Sequence, residues 1–482
     1  MNKTSNTEKT HSDFSDILPY QSYAQEIKEL LKSSAQPPRA LIVTYGCQMN
    51  ENDSEKLMGM LQVAGFSEAS SANEADIIIY NTCCVRDHAE LRVFGNIGAL
   101  AKLKDERPEL ILCVLGCMMQ QKDVAAKLYK RFPYVDIICG THSLPRFLEH
   151  LLFVLKMRSR VFDVFDSDGA VDEGLPVKRK NAISAFVTIM YGCNNFCTYC
   201  AVPLVRGRER SRLPSNILTE VQSAVASGKT EIMLLGQNVN SYGQDAEQCT
   251  FADLVRQISE IDGIKRIRFM TSHPKDLSDD LIDAIASCST ICKHIHLPVQ
   301  SGSNRVLTAM NRKYTREHYL SLLCKLRDKV PQIEITTDII VGFPTEAEQD
   351  FEDTLQLVTQ AQFAAAYTFM YSPRKGTRAA ELPQMELSAK KDRLYRLNAL
   401  QIEIIKQNNH KYIGGTVEVL LEAIDIQRDN LAHGRTSSNK MVYFSSEGFN
   451  PGDYLNVKIT HTENNSLFGK IIIGEELCRQ QH

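Results

Sequence analysis

The sequence YGCNNFCTYC occupies residues 191–200 and brings Cys193, Cys197 and Cys200 into one short loop. The apolar segment directly before the loop, 184–190, is typical of a buried strand. Three thiolates can bind three irons of a 4Fe–4S cluster, whose complete ligation by cysteine would need four. The fourth iron would stay open to a small molecule. A structural zinc site is disfavoured, because such sites close with four ligands and no fourth cysteine lies nearby.

Apolar segments continue after the loop and alternate with helical patterns. This alternation predicts parallel β/α units, and six strands with crossover helices predict a partial (β/α)6 barrel. In such barrels the chemistry lies at the carboxyl ends of the strands, where the cysteine loop stands. We assign the barrel to residues 182–410, and its predicted strands are 184–190, 231–236, 264–270, 294–299, 333–342 and 365–372.

A shorter β/α series precedes the loop and predicts an open parallel α/β domain over residues 39–155. Cys47, Cys83 and Cys117 each follow a predicted strand, so all three should lie on one edge of the sheet. A single cysteine after a strand is more often buried packing. Three on one edge suggest a second three-cysteine cluster, although spacing alone does not establish it. The predicted strands are 40–46, 75–82, 110–116 and 135–140.

The remaining segments differ from the two β/α series in composition and in the pattern of apolar residues. Residues 1–38 form a polar N-terminal extension, and 156–181 form a linker that is first acidic and then basic. Residues 411–475 alternate between apolar and polar positions and predict a small antiparallel, OB-like β-barrel. A short tail, 476–482, follows.

Composition narrows the class of protein. The chain has 482 residues, a formal net charge of −3 and 14 cysteines, too few for a disulfide scaffold of this length. The N-terminal residues contain no apolar run typical of a signal peptide, and no segment is apolar enough to span a bilayer. We therefore expect a cytoplasmic protein without a membrane partner.

The cysteine loop after the first barrel strand resembles that of the radical S-adenosylmethionine (SAM) superfamily. The resemblance implies that SAM binds the open iron of the cluster at Cys193, Cys197 and Cys200. It also implies that Tyr199 packs near the SAM adenine and that later strand ends contribute contacts. The residues assigned to SAM on this basis are Tyr199, Gly236, Gln237, Asn238, Gln300, Ser301, Asp338 and Tyr371.

A longer resemblance covers residues 39 to 475. The segments TYGCQMN (44–50), NTC (81–83), GCMMQ (116–120) and YGCNNFCTYCAVPLVRGRERSR (191–212) resemble the radical-SAM methylthiotransferase family, with a C-terminal module like the RNA-binding TRAM domain. The resemblance implies an auxiliary 4Fe–4S cluster at Cys47, Cys83 and Cys117. One SAM would supply a methyl group and another the 5′-deoxyadenosyl radical. Adjacent residues of an extended chain point opposite ways, so Cys84 is expected to face away from that cluster.

The family contains branches with different substrates. GQNVNSYG (236–243) and FMTSHP (269–274) resemble the MiaB-type branch, which methylthiolates C2 of N6-isopentenyladenosine at tRNA position 37, next to the anticodon. The alternatives are the same chemistry on threonylcarbamoyl-adenosine of tRNA or on a ribosomal-protein aspartate. A non-catalytic iron–sulfur RNA-binding protein and an iron–sulfur electron carrier belong to other classes.

Basic residues beside the cysteine loop are candidates for RNA phosphate contacts, whereas the C-terminal module carries more acidic than basic residues. Arg266 and Arg268 are further candidates. The expected partners are a tRNA anticodon stem-loop, a flavodoxin- or ferredoxin-like electron donor, and proteins that deliver sulfur and clusters. We expect a monomer. The candidates beside the loop are Arg206, Arg208, Arg210 and Arg212.

Overall fold

The structure is a computed structural model of the chain. The structure describes residues 19–32, 36–84, 89–165, 171–245, 249–425, 427, 431–446 and 448–472. Within those residues, no helix combines the length and apolar character needed to cross a membrane.

The N-terminal domain contains a six-stranded parallel sheet in the order β2-β1-β3-β4-β5-β6. The two middle strands are buried along their whole length, which explains their continuous apolar sequences. The last strand lies within the segment that the sequence predicts to be a linker. The strands are β1 (Arg39–Thr44), β2 (Ser67–Glu68), β3 (Ile77–Thr82), β4 (Ile111–Gly116), β5 (Ile137–Cys139) and β6 (Val161–Asp163).

Helices cover both faces of this sheet and form a separate apolar core with each face. One core includes the first, second and sixth helices, and the other includes the third and fifth. These helices are α1 (Pro19–Leu31), α2 (Gln48–Val63), α3 (Ala89–Ala99), α4 (Ala101–Glu106), α5 (Lys122–Arg131) and α6 (Phe147–Met157).

The middle domain is a partial barrel of six parallel strands, as the sequence predicts. The strands form two triplets, β7-β10-β11 and β12-β13-β14, and a bridge between Ile267 and Ile291 joins the triplets. A short antiparallel pair, β8 and β9, frames the cysteine loop. The strands are β7 (Ser184–Thr188), β8 (Met190–Tyr191), β9 (Arg210–Ser211), β10 (Glu231–Leu235), β11 (Arg266–Phe269), β12 (His294–His296), β13 (Glu334–Val341) and β14 (Ala365–Met370).

Crossover helices surround this partial barrel, and their apolar faces join one large core with the strands. The longest helix packs against the last strand before the chain leaves the domain. The helices are α7 (Val202–Arg206), α8 (Pro214–Ala226), α9 (Phe251–Ser259), α10 (Asp279–Ser287), α11 (Asn304–Ala309), α12 (Arg316–Lys329), α13 (Glu348–Ala361) and α14 (Leu387–His410).

The C-terminal domain is a closed five-stranded barrel in the order β15-β16-β17-β19-β18. Four of its strands match predicted segments, whereas β16, with the sequence LAHGRT, was not predicted because polar and glycine residues mask its alternation. Neighbouring strands of this barrel are antiparallel, except for β17 and β19, which are parallel. The strands are β15 (Thr416–Asp425), β16 (Leu431–Thr436), β17 (Met441–Ser445), β18 (Tyr454–Glu463) and β19 (Ser466–Ile471).

Two buried arginines of β11 attach this barrel to the middle domain. Arg266 donates to the carbonyl of Arg435 at 2.6 Å, and Arg268 donates to the carbonyl of Thr436 at 2.8 Å. Arg268 also pairs with Glu231 at 2.7 Å. The interpretation of both arginines as phosphate contacts is therefore wrong, because their guanidinium groups are enclosed between two domains.

Helix α2 carries the contact between the first two domains, and its polar side chains are buried there. Asn52 accepts a hydrogen bond from Thr188 at 2.8 Å, and Lys56 donates to the Tyr191 hydroxyl at 2.7 Å. The backbone of residues 176–180 runs along the same helix, where the Glu55 carbonyl accepts from the Lys178 amide at 2.9 Å. This contact turns the carboxyl ends of both sets of strands towards each other.

Gly59 of α2 offers a test of this packing. A Cβ on Gly59 would lie 2.2 Å from the carbonyl oxygen of Pro176, so Gly59→Ala should push the interdomain segment away and destabilise the protein by roughly 1–3 kcal/mol. Thermal unfolding followed by circular dichroism would measure the change.

Gly95→Ala is the matched control, because Gly95 also lies in a helix of the N-terminal domain and its Cβ would meet nothing within 4 Å. It should be neutral or stabilising by roughly 0.5–1 kcal/mol. Equal losses in both variants would contradict the described packing.

Candidate functional site

A cavity of about 760 Å³ lies between the carboxyl edge of the N-terminal sheet and the mouth of the partial barrel. Both domains contribute to its wall, and cysteines of both predicted groups reach it. It is lined by Gly46, Cys47, Cys83, Cys84, Cys117, Tyr199, Cys200, Ala201, Val202, Val205, Arg206, Gln237, Gln300, Asp338, Ile340, Tyr367, Phe369, Met370, Tyr371, Ser372 and Arg374.

The first cysteine group, Cys47, Cys83 and Cys117, stands at the ends of β1, β3 and β4. These strands are direct neighbours, so their ends are adjacent at one edge of the sheet. The close approach depends on Gly46, which has φ +110° and whose Cβ would lie 2.4 Å from the Cβ of Cys83. Only glycine meets both conditions without strain.

Two buried polar side chains surround the sulfur of Cys117. The Arg206 Nε donates a hydrogen bond to this sulfur at 3.2 Å, and Asn50 Oδ1 lies 3.6 Å from it. A hydrogen bond from the Cys84 thiol and the charge of Arg206 lower the pKa of Cys117 against the opposing effect of burial. Burial raises the pKa of Cys47. Cys117 thus favours the thiolate form, which is the form that binds metal.

Cys84 also faces the cavity, contrary to the expectation that it points away. The extended strand ends at Thr82, and Cys84 lies in a bend, so the alternation of a strand no longer applies. The bond from Cys84 to Cys117, together with burial, raises the pKa of the Cys84 thiol. The cavity edge therefore holds four cysteines in place of the three that the sequence assigned.

The second cysteine group forms a loop whose sulfurs each receive a hydrogen bond. Asn195 donates to Cys193 at 3.5 Å, Arg312 donates to Cys197 at 3.4 Å, and the backbone amide of residue 202 donates to Cys200 at 3.4 Å. Burial raises the pKa of Cys193 to about 11 and that of Cys200 to about 12. Hydrogen bonds to ligand sulfurs are typical of iron–sulfur sites.

The loop is held in place by the rest of the barrel. Phe196 adopts a left-handed conformation with φ +48°, and the Asn311 side chain donates to its carbonyl at 3.0 Å. The Thr198 amide donates to the carbonyl of Met310 at 3.1 Å. These hydrogen bonds attach the loop to the turn that follows α11.

Both cysteine groups fit an iron–sulfur cluster by the chemistry of their donors and by their places in the fold. Each offers three sulfurs at the cavity or beside it, and hydrogen-bond donors reach the sulfurs of Cys117, Cys193, Cys197 and Cys200. No three His, Cys, Asp or Glu side chains in the described ranges are placed to hold a metal ion as they stand. The fit therefore rests on donor chemistry and strand position.

Of the residues assigned to SAM, Tyr199, Gln237, Gln300, Asp338 and Tyr371 line the cavity. Tyr199 packs in a small apolar cluster that also contains Tyr371. The backbone of Gln300 pairs with β13, since its amide donates to the carbonyl of Asp338 at 2.8 Å.

The other three residues assigned to SAM are not part of the lining. Gly236 packs against Met190, because a Cβ on Gly236 would lie only 2.7 Å from the Cγ of Met190. Ser301 is fully buried, and its hydroxyl accepts from the amide of Ser303 at 3.2 Å, which gives it a structural role in the turn. Asn238 is buried, and its Oδ1 has no hydrogen-bond partner within the described part of the chain.

Two of the four arginines expected to bind phosphates serve another purpose. Arg212 is buried and pairs with Glu173 at 2.9 Å and Glu220 at 2.7 Å, and Arg206 is buried against the first cysteine group. The expectation that both contact RNA is wrong, because their charges are already matched inside the protein. Arg208 is exposed and covers the ring of Phe196 at 4.4 Å, whereas Arg210 is half-buried.

Several residues of the site were not predicted from the sequence. Tyr367 and Phe369 of β14 line the cavity, and the alternation Tyr-x-Phe-x-Tyr in this strand was a signal that could have identified them. Asn50 and Asp53 contact Arg206 across the domain boundary, and no local pattern reveals such a contact.

Comparisons with known proteins agree with this architecture. Three family profiles match consecutive parts of the chain: "Uncharacterized protein family UPF0004" over residues 39–140, "Radical SAM superfamily" over 187–358 and "TRAM domain" over 410–472. Among solved structures, the radical S-adenosylmethionine methyltransferase TsrM from Kitasatospora setae is similar, with a TM-score of 0.53, 12% identity, and coverage of 72% of this chain and 77% of that one. At that identity the likeness shows the fold alone.

Fold and site thus define a radical-SAM protein with an N-terminal cysteine-bearing domain and a C-terminal TRAM barrel. Curated relatives specify the family further. A protein of Acetivibrio thermocellus is 49% identical over 464 residues, 95% of this chain and 96% of that protein. One of Clostridium tetani is 52% identical over 431 residues, 89% of this chain and 95% of that protein. Both are named tRNA-2-methylthio-N(6)-dimethylallyladenosine synthase, and the chain belongs to this family.

The two cysteine groups predict a defined iron content. After anaerobic reconstitution the protein should bind about eight irons per chain, and the Cys193→Ala/Cys197→Ala/Cys200→Ala variant about four, because two 4Fe–4S clusters would be held independently. Cys47→Ala/Cys83→Ala/Cys117→Ala should also retain about four. Iron and sulfide analysis with absorption spectra would measure this.

Cys324→Ser is the control, since Cys324 is exposed on α12, and its iron content should equal that of the unchanged protein. Full iron content in either triple variant would contradict the assignment of that cysteine group.

Proposed function

We propose that this chain is a radical-SAM tRNA methylthiotransferase that adds a methylthio group to C2 of N6-isopentenyladenosine at tRNA position 37, next to the anticodon. The observation that carries the proposal is the cavity whose wall holds Cys47, Cys83 and Cys117 of one cysteine group and Cys200 of the other. The curated relatives are named for the product of this reaction, in which the prenyl group is called dimethylallyl. They do not favour threonylcarbamoyl-adenosine or a ribosomal-protein aspartate as the substrate.

The cofactors would be two 4Fe–4S clusters and SAM. Cys193, Cys197 and Cys200 would hold the radical-SAM cluster, and the strand-end cysteines, with Cys83 as the middle ligand, would hold the auxiliary cluster. When bound, these groups supply an electron, a radical source and a methyl donor, with one SAM used in each of the last two roles. The residues that would contact SAM from the cavity wall are Tyr199, Gln237, Gln300, Asp338 and Tyr371.

The chain itself orients the reactants and keeps water away from them. Much of the cavity wall is apolar, with Val202 and Val205 on one side and Ile340 on the barrel side. An apolar wall protects reactive species from side reactions with solvent. The buried α2 contact holds the two cysteine groups on facing walls, so that the target base enters between them.

Two aromatic rings offer a surface for that base. Tyr367 and Phe369 are 49% and 52% exposed although both lie in a barrel strand, because their side chains point into the cavity. Exposed aromatic rings in a cavity favour a flat, partly apolar ligand such as a prenylated adenine. The adenine must leave its stack in the anticodon loop to reach them.

The TRAM barrel carries a second aromatic surface that would contact the stem-loop. Tyr443 points outward, because its neighbours Val442 and Phe444 fill the core. The rings of Tyr443 and Phe468 are stacked with centroids 5.2 Å apart, and His461 stacks on Phe468 at 4.8 Å. Stacking suits a barrel of OB-like size that carries little positive charge.

We also propose the remaining partners that the sequence suggested. A flavodoxin- or ferredoxin-like protein would donate electrons, and separate proteins would deliver sulfur and clusters. The enzyme would act in the cytoplasm as a monomer.

Turnover with defined tRNA tests the function most simply. The reconstituted protein, with SAM, dithionite and sulfide as the source of the transferred sulfur, should form a methylthio nucleoside from a tRNA pool that carries N6-isopentenyladenosine and none from a pool that lacks it. Mass spectrometry of the nucleosides reads the product. Release of deoxyadenosine without a modified nucleoside from either pool would overturn the substrate and leave the radical-SAM chemistry.

Phe369→Ala should raise the KM for prenylated tRNA roughly tenfold or more, since a stacked base contributes about 1–3 kcal/mol. Steady-state kinetics would measure it. Phe153→Ala is the matched control, because Phe153 is 45% exposed on α6 of the N-terminal domain. The KM of this variant for prenylated tRNA should not change. An unchanged KM in both variants would contradict the stacking role of Phe369.

A further inference from the structure

The buried side chain of Arg206 connects the two cysteine groups. Arg206 is the last residue of α7, a helix of five residues that begins at Val202, just after Cys200. Its guanidinium ends beside Cys117 of the other domain, where Nε donates to the sulfur at 3.2 Å. One short helix and one side chain therefore link a cysteine of the loop with a cysteine of the strand ends.

Two further hydrogen bonds fix the guanidinium in the N-terminal domain. Its Nη2 donates to Asn50 Oδ1 at 2.8 Å and to Asp53 Oδ2 at 2.9 Å, and the side chain is 5% exposed. The Asn50 amide in turn donates to the carbonyls of Tyr45 and Thr82 at 2.9 and 2.8 Å, just before two of the strand-end cysteines. Arg206 is thus bonded, directly or through Asn50, to all three strand ends.

The position of the charge has a consequence for redox chemistry. Reduction adds negative charge to an iron–sulfur cluster, and its potential depends on net charge and on hydrogen bonds to the sulfurs. A cation that touches a ligand sulfur in a buried site stabilises the reduced form strongly, because the surroundings screen it little. Lysine could not replace the planar fork that reaches Asn50, Asp53 and Cys117 together.

We propose that Arg206 raises the reduction potential of the auxiliary cluster through the charge and the hydrogen bond that it presents to the sulfur of Cys117. This inference rests on the proposed function, since it requires a cluster at Cys47, Cys83 and Cys117. A merely structural arginine would contribute to stability and leave the potential unchanged.

The test uses the full chain with Cys193→Ala/Cys197→Ala/Cys200→Ala, so that the auxiliary cluster alone is observed. In this parent protein, Arg206→Gln should shift the midpoint potential of the cluster to more negative values, because a positive charge and a bond to sulfur are lost. Arg206→Lys should give a smaller shift in the same direction, because the charge remains. A redox titration followed by electron paramagnetic resonance measures the shifts.

Arg212→Gln is the matched control, because Arg212 is equally buried and paired with two carboxylates, and it should leave the potential unchanged. Should Arg206→Gln lose the cluster, Arg206→Lys decides the point, because it keeps a cation beside Asp53 and still alters the bond to the sulfur. Equal potentials in the parent and the Arg206 variants would overturn the inference alone. A parent protein that binds no cluster would overturn the proposed function with it.

Discussion

The buried polar contact between α2 and the middle domain is the interaction on which the site depends. Asp53 and Arg206 are both nearly inaccessible to solvent and pair at 2.9 Å across the domain boundary. Removing one partner of such a pair costs about 3–5 kcal/mol, whereas replacing both by apolar residues is often neutral. The pair therefore links the two domains in the orientation in which Cys117 of one and Cys200 of the other line a common cavity.

Buried arginine side chains also hold the C-terminal barrel against the middle domain. Arg266 and Arg268 extend outward from β11 and end on backbone carbonyls of the TRAM barrel, so directed hydrogen bonds attach the barrel to the middle domain. Both arginines lie on β11, a strand of the partial barrel. The barrel is thereby held beside the partial barrel, and the stacked rings of Tyr443 and Phe468 belong to it.

The sequence predicts most of the fold because parallel strands are buried on both faces and read as continuous apolar runs. The positions of the cysteines at the ends of β1, β3 and β4 follow from the same pattern, while their function as ligands stays a prediction. Partners on other elements of the fold leave no local signal, which is why Arg206, paired with Asp53 across the domain boundary, and Arg212, paired with Glu173 and Glu220, were misinterpreted as phosphate contacts. The orientation of Cys84 was predicted wrongly because β3 ends at Thr82, so the alternation of side chains in a strand does not extend to Cys83 and Cys84.

The central claim is that two iron–sulfur clusters serve one cavity. Diffraction at the iron absorption edge from anaerobically reconstituted crystals would test it directly. Two anomalous peaks should lie on facing walls of the cavity, one beside Cys200 and the other beside Cys117. A single peak, or two peaks separated by folded protein with no shared cavity, would contradict the claim.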